Sequence, residues 1–222
     1  MTQGTRRLGE RRSGGRPSKE QAAALGEHVL DGARAVFCRK GVVNTSLDEI
    51  ALQLGVSKHT IYRRYPNKDA LLEAVIERDI QRFREALLAA STEAAAPGPL
   101  AALQHVAWRY VEIGSSREYA AFYLSICAEA AISATLRRQF AAWSQAALEP
   151  LVAAITSATV AGLLRAGDPQ LVSEILVDLL EGVNNRARLR DDLDAECQGL
   201  EAMFEQRWHV FLALMAEGVR SS

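Results

Sequence analysis

The chain is poor in several residue types, and each shortage excludes a class of protein. Its 222 residues include three cysteines, at positions 38, 127 and 197, and none of them forms a Cys-x-x-Cys pair. A disulfide framework and a zinc site are therefore not expected, and a reducing compartment fits better. Residues 1–20 lack the apolar segment of a secretory signal, and the longest weakly polar run, 150–164, is shorter than the roughly 18 residues that span a bilayer. The sequence predicts a cytoplasmic protein.

Motifs for catalysis are missing as well. The four histidines are scattered, at positions 28, 59, 105 and 209, and none belongs to a His-Glu-x-x-His zinc motif. The chain has no glycine-rich phosphate loop and no Gly-x-Ser-x-Gly nucleophile motif. A buried free thiol is the simplest interpretation of Cys127. We therefore expect no enzyme activity, no cofactor and no metal.

Lysine is absent beyond residue 68, and the charge is divided unevenly. Residues 1–69 hold 13 Lys and Arg against 7 Asp and Glu, whereas residues 70–222 hold 13 Arg against 20 Asp and Glu. The N-terminal third is therefore basic and the remainder acidic. This division predicts two domains, the first of them suited to a polyanion.

Strand-like alternation is absent, and apolar residues recur at helical spacing along most of the chain. We predict an all-α fold with about nine helices. Residues 1–17 are too polar to order themselves and form a flexible basic arm, which serves either DNA contact or solubility. The predicted helices are 19–40, a short one after Ser46, a third from Ser57 to Pro66, and then 67–90, 100–114, 117–131, 133–157, 168–190 and 195–217.

Residues 46–65, "SLDEIALQLGVSKHTIYRRY", read as a helix, a tight turn and a second helix. Ser46 and Glu49 have the spacing of a capping box at the start of the first helix. Ala51 permits close approach of the second helix, and Gly55 suits the turn. Val56 and Ile61 supply the apolar contacts between the two helices. This pattern predicts a helix-turn-helix, which places its second helix in the major groove of DNA.

Residues 45–75, "TSLDEIALQLGVSKHTIYRRYPNKDALLEAV", resemble the DNA-binding domain of the TetR/AcrR family of bacterial transcriptional regulators. The third helix leads into an aromatic pair, Tyr62 and Tyr65, and a Pro-x-Lys-x-x-Leu element at Pro66, Lys68 and Leu71. With this resemblance we assign residues 18–66 to the DNA-binding domain and 67–222 to a ligand-binding and dimerisation domain. Residues 162–182 loosely resemble the AefR-like branch of the family.

The start of the third helix is the predicted base-reading edge, because the N-terminal residues of a recognition helix face base edges. Lys58 can donate to guanine. His59 either contacts DNA or is simply solvated. The resemblance implies that Tyr62 contacts the DNA backbone, with packing on the first helix as its alternative. The full predicted DNA-binding set is Thr45, Ser46, Ser57, Lys58, His59, Thr60, Tyr62, Arg63, Arg64 and Lys68.

The other members of this set are predicted phosphate ligands. Arg63 and Arg64 come late in the helix, where phosphate contact is more common than base reading. Lys68 matches the phosphate-binding lysine of the family. Thr45 and Ser46 stand where free N–H groups of the second helix can meet a phosphate, although capping alone explains Ser46.

The resemblance also implies a ligand pocket within residues 100–190. Its predicted members are Trp108, Tyr110, Phe122, Tyr123, Glu129, Trp143, Asn184 and Asn185. For the aromatic residues the alternative is an ordinary core, and for the polar ones it is exposure to solvent. A ligand bound here would be small and mostly apolar.

The last two helices have wide apolar faces, and in this family the equivalent helices form a dimer interface. The predicted interface residues are Leu176, Leu179, Leu180, Phe204, Trp208, Phe211, Leu212 and Met215. The alternative is that they form the core of a single protomer. A symmetric dimer would present two recognition helices about 34–36 Å apart to a near-palindrome.

Together these features favour a homodimeric repressor that a small ligand releases from DNA by moving the fourth helix. Two alternatives remain open. One is an all-α enzyme or ligand-binding protein with an incidental basic segment, and the other is a low-specificity architectural DNA-binding protein.

Overall fold

The computed structural model describes residues 18–93, 98–189 and 196–215, and within these ranges the chain is helical and contains no strand. The predicted all-α class is confirmed, whereas the predicted basic arm lies outside the described residues. The helices are α1 (Lys19–Lys40), α2 (Leu47–Leu54), α3 (Lys58–Arg64), α4 (Lys68–Glu93), α5 (Pro99–Ser115), α6 (Arg117–Ile132), α7 (Ala134–Ala147), α8 (Glu149–Val160), α9 (Pro169–Arg188) and α10 (Glu196–Met215).

One predicted helix is two in the structure. The single helix expected over 133–157 is divided at Leu148, where α7 ends and α8 begins. Pro150 occupies the first turn of α8, where its missing N–H costs no hydrogen bond. The described part of the chain therefore has ten helices instead of the expected nine.

Side-chain caps set the starts of the first three helices. Ser18 and Gln21 form a reciprocal capping box at α1. Ser46 caps α2 by accepting from the backbone N–H of Glu49. The expected return bond from Glu49 is replaced, because its carboxylate pairs with Lys40 and accepts from the Gln53 amide. The Ser46–Glu49 capping box predicted from the sequence was therefore wrong in its second half.

Two turns in this region depend on glycine. Gly41 follows α1 with φ 75°, and Gly55 follows α2 with φ 64°. Both values lie in the region that strains residues with a Cβ. Gly55 in the left-handed conformation lets the chain reverse directly into α3, as the helix-turn-helix prediction required.

The buried side chains form two clusters, and α4 belongs to both. The first cluster joins α1, α2, α3 and the first half of α4 to a few residues of α6 and α7. The second joins the rest of α4 to α5, α8, α9 and α10. Leu71 and Ile76 of α4 lie in the first cluster, and Phe83 and Leu87 lie in the second. A shift of α4 would therefore disturb both clusters.

In the described ranges, no helix combines the length and the apolarity that a membrane crossing requires.

Candidate nucleic-acid interface and internal cavity

The outer face of α3 is polar and accessible, while its inner face is anchored. Ile61 is fully buried in the first cluster. Lys58, His59, Tyr62 and Arg63 are exposed. Tyr62 is 48% exposed, so this tyrosine is not buried against α1. The exposed set forms a polar, basic surface on one side of a short rigid helix.

The hydroxyl of Ser57 fixes the start of α3. Its Oγ accepts from the Thr60 backbone N–H at 3.1 Å and lies 2.7 Å from Thr60 Oγ1. Because the hydroxyls of Ser57 and Thr60 are hydrogen-bonded to each other, both help to hold the start of the helix. Their predicted contacts with DNA remain predictions.

Lys58 is paired with Asp48 of α2. The hydrogen bond between them raises the pKa of Lys58 and lowers the pKa of Asp48. The two side chains are 65% and 46% exposed, so water screens the pair and its contribution to stability is small. A base edge or a phosphate can replace Asp48 as the partner of this lysine.

Three predicted phosphate ligands have partners within the protein. Thr45 is only 5% exposed, and its hydroxyl donates to the Gly41 carbonyl at 2.8 Å. Its position corrects the prediction of a phosphate contact, because a buried and satisfied hydroxyl cannot reach DNA. Lys68 donates to the carbonyls of Val42 and Val43, at 2.7 and 3.3 Å. It thereby holds the loop between α1 and α2, beside the exposed cap Ser46.

Arg64 turns inward instead of outward. Its guanidinium donates to the Ala22 carbonyl of α1 and lies where a Cβ at Gly26 would be, 2.5 Å from that point. The prediction that Arg64 grips a phosphate is corrected to a packing role between α3 and α1. The absence of a side chain at Gly26 is what admits the arginine.

An internal cavity of about 310 Å³ lies between α4, α5, α6, α7 and α9. Aromatic rings make up much of its wall, and Tyr119 stacks against both Phe83 and Tyr123, with ring centroids 5.7 and 6.1 Å apart. Three carboxylates also reach the wall. The lining residues are Ile76, Asp79, Ile80, Phe83, Tyr110, Tyr119, Phe122, Tyr123, Ile126, Phe140, Ser144, Ala147, Leu148, Val177, Asp178 and Glu181.

Glu181 of α9 is the centre of a polar network beside the cavity. It accepts from the Tyr110 hydroxyl at 2.7 Å, from Asn184 Nδ2 at 2.9 Å and from Arg188 Nη1 at 3.3 Å. Burial and the negative charge of Glu181 raise the pKa of Tyr110 well above its ordinary value. Burial, followed by the nearby Cys127, raises the pKa of Tyr123 to about 12. Both phenols are therefore neutral near pH 7.

Of the predicted pocket residues, Tyr110, Phe122 and Tyr123 line the cavity. Asn184 is fully buried and is connected to the cavity through Glu181. Asn185 is exposed and accepts from Arg188, which corrects its assignment.

The other predicted pocket residues lie elsewhere. Trp108 packs edge-on against Phe204, with ring centroids 5.2 Å apart, and borders a separate depression beside Ala86 and Ala89. Trp143 packs against the first cluster, and the half-buried Glu129 is outside the cavity lining. These three side chains therefore do not line this cavity. Sequence reasoning missed Tyr119, Asp79, Asp178 and Glu181, although polar residues on apolar helix faces were a signal for the acidic ones.

One arginine connects α1 to the cavity wall. The Arg34 guanidinium pairs with Asp79 of α4 and Glu118 of α6, and lies 5.1 Å above the Phe122 ring. Asp79 and Phe122 both line the cavity. Arg34 also lines an open cleft of about 640 Å³, which shares Asp79, Phe83 and Tyr119 with the cavity. Burial lowers the pKa of Arg34, but the charge and hydrogen bond of Asp79, together with the charge of Glu118, outweigh it and raise the pKa of the guanidinium.

Most of the predicted dimer-interface residues belong to the protomer core. Leu176, Leu180, Phe204, Trp208 and Phe211 are at most 3% exposed, so the prediction that they contact a second protomer is corrected. Leu179, Leu212 and Met215 are partly buried against the same cluster.

A different set of apolar side chains faces outward on the last two helices. Leu171 and Ile175 of α9 are 54% and 39% exposed, and Val210 and Leu214 of α10 are 47% and 56% exposed. On each helix the two residues are four apart, so they share a face. Contiguous exposed apolar groups are typical of an interaction surface, and α9 and α10 contact one another.

The fold and the exposed polar face of α3 define the class of protein. It has a helix-turn-helix of the DNA-binding type, attached to a set of helices that encloses a cavity. Residues 29–75 match the model of the family of bacterial regulatory proteins called the tetR family. This match confirms the predicted resemblance to the TetR/AcrR family over residues 29–75.

Relatives agree with this assignment. The HTH-type transcriptional regulator AcrR of Shigella flexneri is 34% identical over 92 residues, which are 41% of this chain and 42% of AcrR. The matching segment thus spans less than half of that relative. A TetR-family protein from Mesorhizobium loti has a TM-score of 0.76 at 24% identity, over 89% of this chain and 99% of its own. SmeT from Stenotrophomonas maltophilia, in its complex with triclosan, has a TM-score of 0.68 at 23% identity, over 88% and 93%. The two structures share the fold.

Proposed function

We propose that the protein is a transcriptional repressor that binds a near-palindromic DNA operator as a homodimer and is released from it by a small, mostly apolar effector. It acts in the cytoplasm, where chromosomal DNA is accessible. The observation that carries the proposal is the course of α4. This helix packs against the helix-turn-helix through Leu71 and Ile76, and further along it lines the cavity through Ile80 and Phe83.

The outer face of α3 supports the DNA-binding part of the proposal. Lys58 and His59 stand at the start of the helix, and Tyr62 and Arg63 are exposed one turn later. In a helix-turn-helix the first positions read bases and the later ones meet phosphates. We therefore propose Lys58 and His59 as base-reading residues and Tyr62, Arg63 and Lys68 as backbone contacts.

The exposed apolar face of α9 and α10 supports the dimer. We propose that Leu171, Ile175, Val210 and Leu214 pack against the same face of a second protomer, because a two-fold interface uses one self-complementary patch. Gly182 lies near this face on α9, and a Cβ there would meet no neighbour within 4 Å. The backbone is thus accessible for close approach.

The cavity supports effector control. Its volume of about 310 Å³ is at the lower end of the range usual for small-molecule sites, about 300–1,000 Å³. SmeT, which shares the fold, has a solved structure as its complex with triclosan, a small and largely apolar molecule. Release of the operator requires that the effector bind the DNA-incompetent arrangement of α4 more tightly than the competent one.

Selection of bound sequences from random DNA tests the proposal directly. A regulator enriches one near-palindrome, and its affinity for that site falls steeply with salt, by about 10³-fold or more between 50 and 200 mM for 6–10 phosphate contacts. Arg63→Ala serves as the matched variant, because Arg63 is exposed and its removal leaves the core untouched. It should weaken binding and reduce the salt slope by about 1.

Each alternative has a distinct outcome in the same experiment. Equal affinity for all sequences would indicate an architectural DNA-binding protein. Failure to bind any DNA would refute the DNA-binding proposal and leave a ligand-binding protein. If the protein binds one palindrome but no small molecule changes its affinity for DNA, the proposed regulator stands and the proposed effector is refuted.

A further inference from the structure

Two carboxylates stand in the first turn of α2, beside the start of α3. They belong to Asp48 and Glu49, and the free N–H groups at a helix start stabilise negative charge there. Glu49 pairs with Lys40 at the end of α1, whereas Asp48 pairs with Lys58 at the start of α3. Of the two, Asp48 is the carboxylate that reaches a side chain proposed to read DNA.

The Asp48 carboxylate lies against the outer face of α3. Its Oδ2 accepts from Lys58 Nζ at 2.5 Å. This hydrogen bond is the largest cause of the lowered pKa of Asp48, and Tyr62 lowers that pKa as well. Lys58 and Tyr62 are four residues apart, so they share one face of the helix. One carboxylate is thus close to two of the residues proposed to contact DNA.

The pair between Asp48 and Lys58 is accessible to a bound duplex. The two side chains are 46% and 65% exposed, so both can face DNA while the core stays as it is. The lysine ammonium has three N–H donors. It can therefore keep its hydrogen bond with Asp48 and still donate to the O6 and N7 acceptors of a guanine.

Two DNA-bound arrangements of Lys58 differ in their effect on Asp48. In the first, the ammonium bridges the carboxylate and a guanine edge, and the negative charge stays neutralised. In the second, the lysine turns to a phosphate, and Asp48 is left as an unpaired negative charge beside a polyanion. Like charges repel, so Asp48 opposes the second arrangement. Every DNA sequence offers phosphates, whereas the first arrangement requires a matching base pair.

We propose that Asp48 is a specificity-determining residue of the DNA interface, which positions Lys58 for base reading and opposes its use as a phosphate contact. The inference rests on the proposed function, because it concerns the same recognition helix. The carboxylate weakens binding to DNA that lacks the matching base more than it weakens binding to the operator. Rejection of a wrong partner adds to specificity in the same way as attraction to the right one.

Asp48→Asn tests this role, because asparagine keeps the size of the side chain and removes its charge. Fluorescence anisotropy on the full chain measures affinity, as a function of salt, for the selected near-palindrome and for a random-sequence duplex of equal length. The random duplex should gain one phosphate contact from the released lysine. Its salt slope should therefore steepen by about 0.9, and its affinity should rise about fivefold at about 0.15 M salt. The near-palindrome should gain less than about twofold, so the ratio of the two affinities should fall about threefold to fivefold.

Further variants separate this role from a general effect of charge. Glu49→Gln removes the same charge from the neighbouring position, where the partner is Lys40, and should leave the preference at the base read by Lys58 unchanged. Asp48→Glu retains the charge and should retain the ratio of affinities. In a Lys58→Ala background, Asp48→Asn should relax no base preference further, because the residue that it positions is absent.

The melting temperature of each variant shows that it is folded. Asp48→Asn should melt close to the wild type, because water screens an exposed pair. Asp48→Ser is a second uncharged variant, used if Asp48→Asn does not fold, and the same change in the ratio of affinities is expected of it.

The outcomes distinguish this inference from the proposed function. If the wild type prefers one palindrome and Asp48→Asn keeps the same ratio of affinities, the proposed regulator stands and the role of Asp48 is refuted. An equal fall of the ratio in Glu49→Gln would indicate a general effect of charge and would refute that role too. A wild-type chain that binds all DNA alike, or none, would overturn both the inference and the proposed function.

Discussion

The ion pair between Arg34 and Asp79 joins α1 to the cavity wall. The substitution Arg34→Met tests how much this pair contributes to the free energy of unfolding. Methionine retains the apolar stem over Phe122 and removes the charge. The side chains of Arg34 and Asp79 are 14% and 13% exposed, so this pair is largely shielded from water. Glu118, the second partner of Arg34, is 82% exposed.

The expected loss of stability follows from these exposures. Removing one member of a buried ion pair costs about 3–5 kcal/mol because the other charge is left unpaired. Asp79 retains Arg78 at 3.0 Å, which offsets part of this cost. The contact with Glu118 is exposed and contributes at most about 1 kcal/mol. We therefore expect Arg34→Met to lower the free energy of unfolding by about 2–3 kcal/mol.

Urea unfolding followed by far-ultraviolet circular dichroism measures this loss. The protein concentration must be the same for all variants, because the stability of a dimer depends on it. Arg84→Met is the matched control: Arg84 pairs with Glu149 at 2.7 Å, but the two side chains are 36% and 62% exposed. This control should lose less than about 1 kcal/mol.

A double-mutant cycle with Asp79→Asn isolates the pair itself. The asparagine needs no counter-charge, so Arg34→Met should be less harmful in its presence, with a coupling energy of about 1–2 kcal/mol. If the two substitutions are additive within about 0.5 kcal/mol, or if Arg84→Met costs as much as Arg34→Met, the reasoning from burial is refuted.

Three further predictions concern DNA binding, assembly and pH. In electrophoretic binding assays, Lys68→Ala should weaken binding to all DNA sequences alike, whereas Lys58→Ala should relax preference at one base position; identical behaviour would contradict this division of roles. Ile175→Glu should convert the proposed dimer to a monomer in sedimentation velocity, and a dimer that persists in this variant would exclude this face. Because burial raises the pKa of Tyr123 from 10.0 to about 12, the stability from its neutral phenol is complete below pH 10 and is lost as pH rises towards 12. Melting temperatures between pH 9 and 11 should therefore fall less in Tyr123→Phe, and equal slopes would refute this.

Local signals in the sequence predicted the N-terminal part of the fold well. Ser18, Ser46 and Ser57 cap the helices they precede, and Gly55 adopts the left-handed conformation that the turn requires. These features depend on neighbouring residues only. The inward turn of Arg64 depends on Gly26, 38 positions earlier, and no local pattern indicates that pairing.

The C-terminal part was predicted less well because helix periodicity does not say what covers an apolar face. Trp208 and Phe211 fit either a dimer interface or a protomer core, and tertiary packing placed them in the core. The cavity likewise joins residues from five helices, such as Ile76, Tyr110 and Val177. Their proximity is a property of the packed bundle, so only three of the eight pocket residues assigned from the sequence line this cavity.

The distribution of lysine has a practical consequence for experiments. The four lysines, at positions 19, 40, 58 and 68, all lie in α1, α3 or the first turn of α4, and residues 69–222 contain none. Amine-reactive reagents will therefore modify side chains only in the DNA-binding head. Lys58 lies on the proposed operator surface, whereas Lys19 begins α1. Mass spectrometry can compare the labelling of the two lysines with and without DNA. Protection of Lys58 relative to Lys19 would be a footprint of the operator, with Lys19 as the internal reference.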